Sequence, residues 1–187
     1  MPTIIGGTTG VAPAQWTTAG RPSSPLNGQL GWNTTIGGLE AWNGSAWGAV
    51  SGAPAFSAWA SVATNTATGT ATKLTFDTEE FDTNSNFASS RFTPTVAGYY
   101  QINAAVNSGG YYAYTLIAIY KNGVLYKNGN ISSSANPGNI VAVSSIVYCN
   151  GSTDYVEIYW SQSSGVTVNT ATGISQTYFN GAMVRSA

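Results

Sequence analysis

The dominant pattern along this chain is alternation of apolar and polar positions over short runs. In "YYQINAAV" the residues Tyr100, Ile102, Ala104 and Val106 fall on one side of an extended strand, because successive strand side chains point to opposite faces. Similar runs recur as "TKLTFD", "YTLIAIYKNG", "VAVSSIVYCNG", "DYVEIYWSQ", "GVTVNTA" and "TYFNGAMV", several of them closed by Asn-Gly. No apolar series at i, i+3, i+4, i+7 is sustained, while Thr, Val, Tyr, Ile and Gly dominate. The pattern predicts an all-β sandwich or barrel of many short strands. Its clearest hairpin is "YKNGVLY", Tyr120 to Tyr126, where Asn122-Gly123 suits the positive φ angles of a type I′ turn.

The character of the chain changes near residue 50. Residues 1–20 are rich in Gly, Thr and Ala without a period, and read as an extended N-terminal arm. Residues 21–50 form a Trp-rich unit with Trp32, Trp42 and Trp47 spaced by Gly-bearing turns. A small β-meander fits, too short to bury much core alone, so these tryptophans are expected to pack on a partner. The segment from Ser51 to Phe56 reads as a linker into a main domain over 53–187. The Thr/Ile stretch near the N-terminus suits strand addition to a partner's sheet edge. The attachment candidates are therefore Ile4, Ile5, Trp32, Trp42 and Trp47.

Composition narrows the partners. Only 7% of the 187 residues are charged, with a net charge of −1, against ~25% charged in an ordinary soluble domain. That leaves no basic face for nucleic acid and no polybasic run for a membrane. No apolar stretch approaches the ~20 residues of a membrane span. The opening "MPTIIGGTTG" has neither a basic n-region nor an apolar h-region, so no secretory leader is expected. The single cysteine, Cys149, excludes an intrachain disulfide and reads as a small buried apolar residue. So little charge suits a protein largely covered by copies of itself or by a larger assembly. A hydroxyl-rich extracellular β domain is the plainer reading.

Candidate chemistry is sparse. The chain has no histidine, which removes Ser-His-Asp and Cys-His nucleophiles and His-based metal sites. Acidic residues gather in "FDTEEFD", where Asp77, Glu79 and Asp82, beside Glu80, are candidates for a calcium site or a hydrolytic carboxylate pair. On a strand such residues more often form a solvated edge. No cofactor and no enzymatic activity are expected. Of four Asn-x-Ser/Thr sequons, at Asn33, Asn43, Asn130 and Asn150, two are Asn-Gly turns, and glycosylation is not expected.

The main domain resembles the complement-subcomponent globular-head family, which shares its trimeric jelly roll with tumour necrosis factor. The residues that carry the resemblance are Phe76, Asp82, Phe87, Phe92, Gly98, Tyr100 and Ile102, followed by "AIYKNG", by "SSIVYCNGSTDYVEI" with Asp154 and Val156 in register, and by "YFNGAMV". The chain departs from the family in a shorter gap between Phe87 and Phe92, and in Ile102 and Ala104 where aromatics are usual. The resemblance implies a homotrimer, with Tyr100, Ile102, Tyr159 and Phe179 expected near the seam. Residues 21–50 resemble a module of bacteriophage fibre and virion proteins, through Pro25, Gly28, Trp32, Asn33, Thr34, Glu40, Trp42, Asn43, Gly44 and Trp47. Together the two resemblances imply a virion protein assembled in the host cytoplasm: a homotrimeric capsid decoration (cement) protein or short head fibre, bound to major capsid or tail proteins. The alternative is the receptor-binding tip of a tail fibre, recognising a host surface glycan or protein.

Overall fold

The computed structural model describes residues 12–35, 37–50, 53–109, 114–133 and 139–187. The chain divides into two units, Met1–Gly52 and Ala53–Ala187. Among the described residues the one helical element is a single 3-10 turn, Thr18–Gly20, and everything else regular is strand.

In the smaller unit, Gln15–Trp16, Leu30–Asn33, Gly38–Trp42 and Trp47–Ala49 form a four-stranded sheet in chain order. The first pair is parallel and the other two are antiparallel. Part of the expected arm is therefore structured. Trp16 is buried and pairs with Asn33, so residues 15–20 belong to the sheet unit. Ile4 and Ile5 lie outside the described residues.

The larger unit packs two antiparallel sheets face to face. One runs in the order Ile140–Cys149, Gly98–Asn107, Tyr178–Ser186, Ala55–Trp59, Thr78–Asp82. The other runs Val124–Ser132, Thr115–Lys121, Val156–Gln162, Arg91–Phe92, Phe87–Ala88, with Thr72–Lys73 also paired to Val156–Gln162. Val168–Asn169 pairs with Asn65–Thr66 as a separate ribbon. The alternation seen in the sequence explains why the sheets stack. Tyr100, Ile102, Ala104 and Val106 all point inward and are almost fully buried. Across from them on the neighbouring strand, Val147, Val143 and Val141 point inward too.

An aromatic cluster fills the core. Phe56 stacks on Phe92 at 4.4 Å and on Phe87 at 4.9 Å, while Phe179 meets it edge-on at 4.8 Å. Tyr100 contacts Phe92 edge-on and sends its hydroxyl to the Val96 carbonyl at 2.6 Å. Burial holds that hydroxyl's pKa up at about 12, so it stays a donor. Cys149 is buried, and its thiol is pushed up to about 11 for the same reason.

The two turns flagged in the sequence are tied together. Asn122 and Gly123 both take positive φ, 54° and 77°, as a type I′ turn requires. Buried Asp154 receives Lys121 at 2.8 Å, the Asn122 amide at 2.7 Å and the Asn150 backbone N–H at 3.0 Å. One carboxylate thus locks the Asn122-Gly123 hairpin to the Asn150-Gly151 turn, and these bonds hold its pKa below the usual range.

Gly181 sits where a side chain would force its neighbours to shift. A Cβ there would stand 2.8 Å from Ile102 Cδ1 and 3.0 Å from the Phe56 ring. Gly181→Val should lower unfolding stability by about 1–3 kcal/mol, the usual cost of overpacking a core, read as a lower urea midpoint. An unchanged midpoint would show that the core has slack at this position.

Candidate assembly surfaces

In the smaller unit the sequence motif builds a polar centre. Gly31, Asn33, Glu40, Trp42 and Trp47 share one face of the sheet by register. Glu40 is fully buried there. Arg21 donates to it twice, Nε to Oε1 at 2.9 Å and Nη2 to Oε2 at 2.6 Å. The Trp16 indole N–H adds a bond at 2.5 Å and the Asn33 amide another at 3.1 Å. The Arg21 guanidinium is the largest of the influences that bring the Glu40 carboxyl down to about 2. Trp16 lies flat over Gly31, whose Cβ would fall 2.0 Å from the ring. Trp47 then packs edge-on against Trp16 at 4.9 Å and meets Trp42 at 5.8 Å. Asn43 caps the next turn by accepting the Ser45 and Ala46 backbone N–H groups.

This arrangement separates the tryptophans named from sequence. Trp42 and Trp47 are half-buried parts of the module's own packing. Trp32, 38% exposed, lies on the opposite face beside exposed Leu30 and Leu39. Trp16 and Arg21 were missed as site-forming residues. The signal was present: Arg21 and Glu40 are the only charged residues among the first 50.

In the larger unit, the outward face of the five-stranded sheet is polar but uncharged at its centre. Gln101 Nε2 donates to Ser144 Oγ at 2.8 Å, and Ser144 Oγ to Asn103 Oδ1 at 2.8 Å. Asn103 Nδ2 continues to Asn180 Oδ1 at 3.2 Å. Two shallow depressions of about 470 Å³ and 320 Å³ flank this network. Exposed Tyr99, Ile146, Tyr148, Val184 and Phe81 surround it.

Three of the residues expected near the seam, Tyr100, Ile102 and Phe179, come together in one core cluster, and Tyr159 is not among them. Tyr100, Ile102 and Phe179 are completely buried inside one chain, so their side chains are core and offer no contact area to a second copy. Tyr159 lies on the other sheet, stacked on Tyr120 at 4.0 Å. The reason is the two-residue strand period: an error of one position exchanges the inward and outward sets. On Gly98–Asn107 the outward set begins with Tyr99, Gln101 and Asn103.

The acidic segment does not converge either. Asp77 accepts from the Ser61 N–H and hydroxyl, Glu80 from the Ser57 hydroxyl, and Asp82 from the Phe87 N–H. The Ser61 hydroxyl and backbone bonds hold Asp77 below its ordinary pKa. Among the described residues no group of three or more possible metal ligands forms. Among the same residues no helix is long and apolar enough to cross a membrane.

Comparison with solved structures decides the fold. The globular domain of zebrafish complement 1qA protein superposes with a TM-score of 0.57 at 18% identity, covering 72% of this chain and 99% of that one. Murine APRIL gives 0.58 at 9% identity, covering 71% and 99%. Eiger TNF from S. frugiperda gives 0.54 at 7%, covering 72% and 93%. The fold is a complement-1q/TNF-like jelly roll. No family model matches the sequence, and no curated protein does.

The Glu40 centre yields a pH prediction. Because its folded pKa is depressed, the stability it contributes is present above about 4.5, the ordinary carboxylate value, and is lost as pH falls toward about 2. The Trp16 indole proton should be protected from exchange at pH 7 and lose that protection only as pH falls to about 2 and below, where the folded-state carboxyl takes up its proton, and Glu40→Gln should lack the protection at both. Slow exchange in that variant at pH 7 would mean the carboxylate charge is dispensable.

Proposed function

We propose that this protein is a bacteriophage virion structural protein: a homotrimeric capsid decoration protein or short head fibre, displaying residues 53–187 and held on the particle through residues 1–50. The observation that carries this reading is the smaller unit. Several residues of the motif that resembles phage fibre and virion modules take part in its centre: Asn33 and Glu40 are bonded, Trp42 and Trp47 packed, and Asn43 caps a turn. Its opposite face leaves Trp32, Leu30 and Leu39 exposed, a surface that a capsid or tail protein of matching shape covers, with Trp32 as anchor. The Ile4 and Ile5 segment adds main-chain pairing to the same partner.

Trimerisation uses the outward face of Gly98–Asn107 and its neighbours. Three copies bring Gln101, Asn103, Ser144 and Asn180 to the axis, ringed by Tyr99, Ile146 and Tyr148. An uncharged centre removes the repulsion that like charges would meet at a threefold axis, and shared amide hydrogen bonds fix register. The proposed workplace is the virion, assembled in the host cytoplasm, and no catalytic step is assigned.

Two variants test this. Asn103→Arg places three like charges at the axis and should convert a trimer to monomers in sedimentation at micromolar concentration. Deleting residues 1–50 should leave a folded trimer that no longer decorates particles lacking the wild-type protein. A trimeric Asn103→Arg, or full binding by the truncated head, contradicts the corresponding half of the proposal.

A further inference from the structure

The outer face of the six-stranded sheet carries a feature that assembly does not use. A shallow hollow of about 70 Å³, open to solvent, lies there. Its depth comes from Ala118, which faces Tyr159 across the strand pair and leaves space that a larger side chain would fill. Tyr120 and Tyr159 stack at 4.0 Å with 27° between their planes and form one wall. Leu116 and Leu125 form another, and Asn128 and Ser161 stand at the rim.

The chemistry is neutral and mixed. The nearby carboxylate, Glu157, is buried and already neutralised by Lys73 and Arg91, each at 2.8 Å. The Tyr120, Tyr159 and Ser161 hydroxyls and the Asn128 amide make no side-chain hydrogen bond within the described residues. Aromatic and aliphatic walls favour a ligand with an apolar face, while a rim of both donors and acceptors favours one edged with hydroxyls. A pyranose ring has both. A proline ring packs on tyrosine but has no N–H to offer the rim, leaving the Asn128 carbonyl and the hydroxyl lone pairs unmatched.

We propose that this hollow binds one neutral pyranose ring of a glycan, its C–H face against Tyr120 and Tyr159 and its hydroxyls toward Asn128 and Ser161. The site does not depend on trimerisation or on a virion location. It is tested on the full chain by saturation-transfer NMR with the methyl glycosides of glucose, galactose, mannose and N-acetylglucosamine at millimolar concentration. At least one glycoside should show transfer to its ring C–H protons. Tyr159→Ala should abolish it, and Tyr99→Ala, on the other sheet, should leave it intact. Exposed Asn128→Ala, which keeps the fold even if Tyr159→Ala does not, should weaken binding about 3- to 10-fold, the loss of one hydrogen bond. No transfer to any of the four, transfer unchanged in Asn128→Ala, transfer lost in Tyr99→Ala, or binding of a polyproline peptide instead would each overturn the proposal.

Discussion

The strand Gly98–Asn107 is paired along nearly its whole length on both sides, to Ile140–Cys149 and to Tyr178–Ser186, and most of the larger unit follows from that constraint. A strand fixed on both edges cannot slip, so its two-residue period assigns each side chain permanently. Even positions from Tyr100 to Val106 enter the core and meet the Phe56, Phe87, Phe92 and Phe179 cluster directly or through neighbours. Odd positions Tyr99, Gln101 and Asn103 are pushed outward, where they create the surface proposed for self-association. Gly181 is the counterpart on the next strand: its missing side chain is the room that Ile102 and Phe56 occupy.

Scarcity of charge shapes the rest. Arg21 pairs with Glu40, Lys73 and Arg91 converge on Glu157, and Lys121 meets Asp154. These carboxylates are buried and multiply bonded, so the pairs serve as local fasteners more than as surface solvation. Removing one partner strands a desolvated charge. What remains on the surface is mostly hydroxyl, amide and isolated apolar groups.

Much of the fold was legible because alternation is a direct print of the pleat. The type I′ hairpin at Asn122-Gly123 and the inward face of Tyr100 to Val106 could be read from local pattern. A seam between copies could not. Alternation tells which residues share a face but not which face another copy covers; Tyr100, Ile102 and Phe179 are core, while the outward amides Gln101, Asn103 and Asn180 are half-buried. In the acidic segment, proximity in sequence does not bring the carboxylates together, because Asp77, Glu80 and Asp82 each bind a different group: the Ser61 N–H and hydroxyl, the Ser57 hydroxyl and the Phe87 N–H. Trp16 was passed over because the arm around it lacks a period, and a two-residue parallel strand leaves none to see. The paired charges Arg21 and Glu40 were the available clue.

The central claim is that the outward face of the five-stranded sheet, and not that of the six-stranded sheet, is buried between copies. Cysteine accessibility measures this directly in the assembled full-length protein. Ser144→Cys lies on the first face and Ser161→Cys on the second, while the native Cys149 is buried and silent. The account predicts that a maleimide labels Ser161→Cys readily and Ser144→Cys only after the assembly is dissociated. Equal labelling of both in the intact assembly would contradict it.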